Sequence, residues 1–158
     1  MATVNIRDTG RNSARVNDVR ALATKVQKPS DTEAITAANT ITAAESGTRF
    51  VMNTATARIQ TLPSPAAGLE YWFYVGATEP TSSHTIVTAS SANIIVGNVS
   101  SPEDAAGDVA TVTDADTISL VASKAVHGDY VHVWSDGTNW YLDGMCKVQD
   151  GITTTQAS

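Results

Sequence analysis

His127-Gly128-Asp129-Tyr130-Val131-His132-Val133-Trp134-Ser135-Asp136-Gly137-Thr138-Asn139-Trp140-Tyr141-Leu142-Asp143 reads as two strands and the turn between them. Alternation places Tyr130, His132 and Trp134 on one face of the first strand and Val131 and Val133 on the other, so both faces carry apolar groups. Asp-Gly at 136–137 is a strong short-range hairpin signal, because glycine accepts the positive φ that a tight turn demands. The same texture extends outward from this hairpin. From Ile35 onward, short β-rich runs are separated by Gly, Pro, Asn, Asp and Ser clusters at roughly 8–12-residue intervals, the spacing of an antiparallel sandwich. The clearest runs are Arg49–Met52, Ala57–Leu62, Glu70–Val75, Thr85–Thr88, Asn93–Val96, Asp108–Val112, Thr117–Ala122, Tyr130–Trp134 and Trp140–Asp143. The expected fold is therefore all-β: an antiparallel β-sandwich or jelly-roll-like body at 35–148. Residues 1–34 form an extended or partly helical N-terminal arm, and 149–158 a C-terminal tail that either frays or adds an edge strand.

Composition supports one domain of this kind. The 158 residues are enough for a real core, and only 16% are charged, against roughly 25% in typical soluble domains. Small residues fill the gap, with 22 Thr and 23 Ala. That balance excludes a coiled coil or helical bundle, rich in Glu, Lys, Arg and Leu, and a highly charged disordered chain. No apolar run approaches the ~20 residues that span a bilayer, and Met1–Asp8 lacks an apolar signal core, so a soluble, non-secreted chain is expected, with no membrane partner. The lone Cys146 excludes an internal disulfide framework.

The net charge of −6 averages two unlike parts. Residues 1–28 hold Arg7, Arg11, Arg15, Arg20, Lys25 and Lys28 against Asp8 and Asp18, a net +4; the remainder holds four basic and fourteen acidic groups, a net −10. A basic arm on an acidic body suits a negative partner outside its own fold, and the body's charge opposes wrapping by DNA, so a protein surface is expected and direct nucleic-acid binding is not. Val16, Val19, Leu22, Ala23 and Val26 recur at helical spacing between a cap at Asn12 or Ser13 and the stop at Lys28-Pro29. A helix that short would form only against a partner.

Catalytic signals are weak. Cys146 has no positioned base evident among His127 and His132, and His84, His127 and His132 are too scattered for a metal site. HExxH, GxSxG and phosphate-cradling glycine loops are missing from the sequence, so neither an enzyme nor a cofactor is expected. Asp104, Asp108, Asp114 and Asp116 flank two β runs, and their spacing suits loop capping better than an EF-hand, leaving Ca²⁺ a minor alternative. Asn98-Val99-Ser100 is only formally a glycosylation sequon. The tryptophans and tyrosines all fall between Tyr71 and Tyr141 within strand groups, and are read as core anchors, with a sugar-binding platform as the alternative.

The order of segments Ile41–Gly47, Phe50–Asn53, Leu62–Leu69, Tyr71–Val75, His84–Thr88, Asn93–Gly97, His127–Val133, Ser135–Gly137 and Asn139–Tyr141 resembles the small β-sandwich virion proteins of tailed bacteriophages, particularly capsid decoration or cement proteins. That resemblance implies a non-enzymatic structural protein on the outer capsid surface of the virion, made in the host cytoplasm. It would link neighbouring capsomers through the major capsid protein of the same phage. It also implies a symmetric oligomer, a homotrimer first and a dimer otherwise. Arg7, Arg11, Arg15, Arg20, Lys25 and Lys28 are then the candidate capsid-binding residues. The alternative within the same resemblance is a tail-fibre or host-recognition module that binds a glycan.

Overall fold

The structure, a computed structural model, describes residues 31–101 and 109–158. Twelve strands run through them: β1 (Thr32–Ile35), β2 (Asn39–Thr40), β3 (Arg49–Met52), β4 (Ile59–Thr61), β5 (Glu70–Val75), β6 (His84–Val87), β7 (Ile95–Ser100), β8 (Val109–Ala115), β9 (Thr117–Leu120), β10 (Tyr130–Ser135), β11 (Trp140–Met145) and β12 (Ile152–Thr155). They form a seven-stranded sheet in the order β1-β3-β5-β10-β11-β7-β8 and a five-stranded sheet in the order β12-β9-β6-β4-β2. The fold is all-β, as the turn-punctuated runs imply.

Pairing within the sheets departs from the antiparallel expectation. From β1 to β6 the chain places alternate strands in alternate sheets, so β1, β3 and β5 stack parallel in one sheet and β2, β4 and β6 stack parallel in the other. Residues 32–87 thus wind as a short two-sheeted coil. A consecutive pair of short runs has the same sequence signature whether the connection folds back as a hairpin or crosses to the facing sheet, which is why the spacing alone suggested antiparallel neighbours. The rest of the chain closes the two sheets mainly by antiparallel pairing: β10 joins β5 to β11, and β9 joins β6 to β12. The parallel pair β11–β7 is the exception there.

Both sheets contribute to one core. Phe50, Tyr71, Phe73, Val131, Val133, Trp140 and Leu142 come from the larger sheet, and Ile86, Ile118, Leu120 and Ile152 from the smaller. Phe50 stacks on Phe73 with centroids 5.3 Å apart, and Tyr71 tilts against Trp140 at 5.8 Å. The phenol of Tyr71 donates to the Thr42 carbonyl at 2.9 Å; burial, aided by the nearby Glu45 carboxylate, pushes its pKa up to about 12.

Both ends of the compact unit Asp31–Ser158 extend beyond the body expected at 35–148. β1 begins at Thr32, inside the stretch assigned to the arm, and β12 converts residues 152–155 of the tail into an edge strand paired with β9. Of the tail alternatives, an edge strand is the one observed.

Candidate functional site

The outer face of the seven-stranded sheet is the most chemically distinctive surface among the described residues. Its composition follows from strict alternation. In β5, Tyr71, Phe73 and Val75 point into the core, leaving Glu70, Trp72 and Tyr74 outside; in β10, Val131 and Val133 point in, leaving Tyr130, His132 and Trp134; in β11, Trp140 and Leu142 point in, leaving Tyr141, Asp143 and Met145. Register then aligns these residues in three rows across the strands. The first row is Glu70, Trp134, Tyr141 and Val96. The second is Arg49, Trp72, His132, Asp143, Asn98 and Thr111. The third is Val51, Tyr74, Tyr130, Met145, Ser100 and Val109, with no ionised group in it.

The tryptophans and tyrosines were expected to be core anchors, and for five of the seven that expectation is corrected. Tyr71 and Trp140 are fully buried, whereas Trp72, Tyr74, Tyr130, Trp134 and Tyr141 lie outside, Trp134 with 43% of its surface exposed. The cause is the period of two: in the aromatic run 71–74, every second ring must leave the core.

The outer rings pack on one another. The rings of Trp72 and His132 stack face to face with centroids 3.8 Å apart and a 9° interplanar angle, and Trp134 stacks on Tyr141 at 4.3 Å and 14°. Tyr130 tilts against both Trp72 and Tyr74, at 5.9 and 5.8 Å. Cross-strand stacks of this kind cover ring faces with neighbouring rings and turn ring edges toward solvent. At one end of the face, Asp136 in the β10–β11 turn accepts from the backbone N–H groups of Thr138 and Asn139 and from the Tyr141 hydroxyl, at 2.8, 2.9 and 3.0 Å. Those bonds hold its carboxyl below the usual carboxylate range and raise the Tyr141 phenol pKa in turn. His132 Nε2 stands 3.5 Å from the Glu70 carboxylate.

The other sequence candidates are dispersed. Cys146 is buried, its Sγ 3.8 Å from the Ser100 carbonyl. His84 is enclosed between the Arg58 N–H, which donates to Nδ1 at 3.1 Å, and the Thr54 carbonyl, 2.9 Å from Nε2. His127 is exposed on a turn, its carbonyl held by the Lys147 ammonium. Asp114 lies within β8, one residue before its end, with a φ of 53°, and Asp116 is buried. Asp104 and Asp108 lie outside the described residues, as do Arg7, Arg11, Arg15, Arg20, Lys25 and Lys28 with the arm that carries them. Asn98 faces out from the middle of β7. Among the described residues, no three His, Cys, Asp or Glu side chains converge as metal ligands, and no helix is long and apolar enough to cross a membrane. An open groove of about 510 Å³ separates the edge strands β8 and β12 and is lined mainly by Thr111, Thr113, Thr154, Thr155 and Gln156.

No protein-family model matches the chain, and no curated protein matches it at a significant level.

Proposed function

We propose that the chain is a non-enzymatic structural protein of a tailed-phage virion, a decoration or cement protein that binds the outer surface of the capsid shell and links neighbouring capsomers. The observation that carries this reading is the division of charge: a net +4 over residues 1–28 against a net −10 over the rest. A cationic segment attached to an anionic body is attracted to an acidic surface while the body is held off it, so contact is made by the segment. Arg7, Arg11, Arg15, Arg20, Lys25 and Lys28 are the docking residues, and the major capsid protein of the same phage is the partner. Twenty-eight residues reach on the order of 90 Å when extended, far enough to span adjacent capsomers. Several such segments in one oligomer add avidity to individually weak contacts. The order of sequence segments that resembles the decoration proteins supports the same reading.

A glycan-binding tail module would present flat ring faces to sugars. The outer-sheet rings instead stack on one another, Trp72 on His132 and Trp134 on Tyr141, which favours the structural role.

Co-sedimentation with undecorated shells tests the proposal. The full chain should load hundreds of copies per shell, and a chain beginning at Ser30 should lose most of that occupancy. Replacing the six basic residues by Ala should do the same, with the effect largest at low salt. A handful of copies, or occupancy indifferent to the basic residues, would overturn it.

A further inference from the structure

We infer that the outer face of the seven-stranded sheet is a self-association surface, on which a second copy of this chain packs face to face about a twofold axis running along the strands between β5 and β10. This inference does not depend on shell binding.

Composition points to a protein interface. Tyr, Trp, Met and Arg are enriched in the cores of interfaces and Lys is depleted; the face holds Trp72, Trp134, Tyr130, Met145 and Arg49 and carries no Lys. Met145 and Val109, in the uncharged third row, are among the most exposed large apolar residues described, at 46% and 55%. Size agrees too. About this axis β8 lies beyond the second copy's β1, so six strands at about 4.8 Å and three rows at about 7 Å overlap over roughly 600 Å² per partner, the lower end of standard interfaces.

Charge selects the occupant and the axis. The body carries a net −10, so two copies meet without repulsion only where acidic groups are few or matched. In the middle row, Arg49 lies on β3 and Asp143 on β11, one strand outside β5 and β10 respectively. A twofold along the strands between β5 and β10 lays β3 over β11 of the second copy, so each Arg49 faces the other copy's Asp143. Near the axis, Trp72 meets His132 and Tyr74 meets Tyr130. A twofold across the strands would instead set Arg49 on Arg49 and Asp143 on Asp143. The face is therefore self-complementary in one orientation, as an isologous dimer requires. Glu70, in an end row beside the axis, faces Trp134 of the second copy, with His132 Nε2 of its own chain 3.5 Å from the carboxylate.

The mass of the full chain in solution, by sedimentation equilibrium without shells, is the first test, and a dimer is expected. Asp143→Lys places a cation over Arg49 of the other copy and should weaken the dimer at least tenfold, with an unchanged circular dichroism spectrum. Register is tested by Val51→Cys with Met145→Cys. Those positions are three strands apart in one chain, roughly 14 Å, but opposed across the axis. A bismaleimide about 10 Å long, the spacing of facing sheets, should give a covalent dimer in the double variant and not in either single one. A monomeric or trimeric wild-type chain, or a dimer indifferent to Asp143→Lys, would overturn the inference. So would equal crosslinking of the single and double variants, or a folded double variant that does not crosslink.

Discussion

Trp72 and Trp140 occupy opposite faces of the same sheet, and their environments assign them different energies. Trp140 is fully enclosed by the core, so Trp140→Ala is expected to cost about 3–5 kcal/mol. Trp72 is half-buried in a cross-strand stack, and Trp72→Ala should cost about 1–2 kcal/mol, chiefly the lost aromatic pairing. Urea midpoints of the two variants, compared at constant slope, separate the cases; equal losses would contradict the placement of Trp72. His84 supplies a pH dependence at the same scale. Burial lowers its pKa below the ordinary 6.5, opposed in part by the bond to the Thr54 carbonyl and reinforced by the Arg58 charge. The folded protein thus holds this imidazole neutral, while the unfolded chain takes up a proton as pH falls through about 6.5. Its contribution to stability is complete above that value and is lost as pH drops toward the lowered folded pKa. Denaturation midpoints between about pH 7.5 and pH 5 should fall in the wild type and change less in His84→Leu, once the latter's lower baseline is subtracted.

At the scale of elements, the coil of β1 to β6 and the edge strand β12 hold the two sheets in place. β12 pairs all four of its residues with β9 and buries Ile152. Ending the chain after Asp150 would expose Ile118 and Leu120 along a newly unpaired edge of β9, which stays paired with β6, and should destabilise by about 3 kcal/mol or more. Calorimetry reads this directly, and an unchanged melting temperature would mean that β12 is dispensable. Close approach also fixes Gly97 on β7. At a φ of +148°, a Cβ added there would sit 2.0 Å from the Leu142 carbonyl oxygen on β11, so only glycine allows β7 and β11 to pair across this point. The strands themselves were legible: Arg49–Met52 and Glu70–Val75 fall where turn residues and alternation put them. β1 and β2 were not, being four and two residues long, with Thr, Asn and Ala in place of a strong apolar alternation, and the Thr-rich β12 was legible only as one of two alternatives for the tail.

For the whole molecule, pairing is dominated by strands distant in sequence. β5 pairs with β10, β7 with β11 and β6 with β9, while β10–β11 is a tight hairpin. Loop closure must precede most of the stabilising contacts, so refolding from urea is expected in milliseconds to seconds. Stopped-flow tryptophan fluorescence would show it, and microsecond folding would imply a more local nucleus than this topology offers. The sequence by itself determined the all-β class, the main strands, the Asp136-Gly137 turn and the charge division, because each depends on local periodicity, local turn chemistry or a simple count. Only the tertiary structure decided which strands pair, that the coil runs parallel, and that the outward aromatic residues meet as one stacked face. Alternation assigns a side chain to one of two faces; which face is core and which rings become neighbours depends on register between segments as far apart as residues 72 and 132, and no local pattern encodes that.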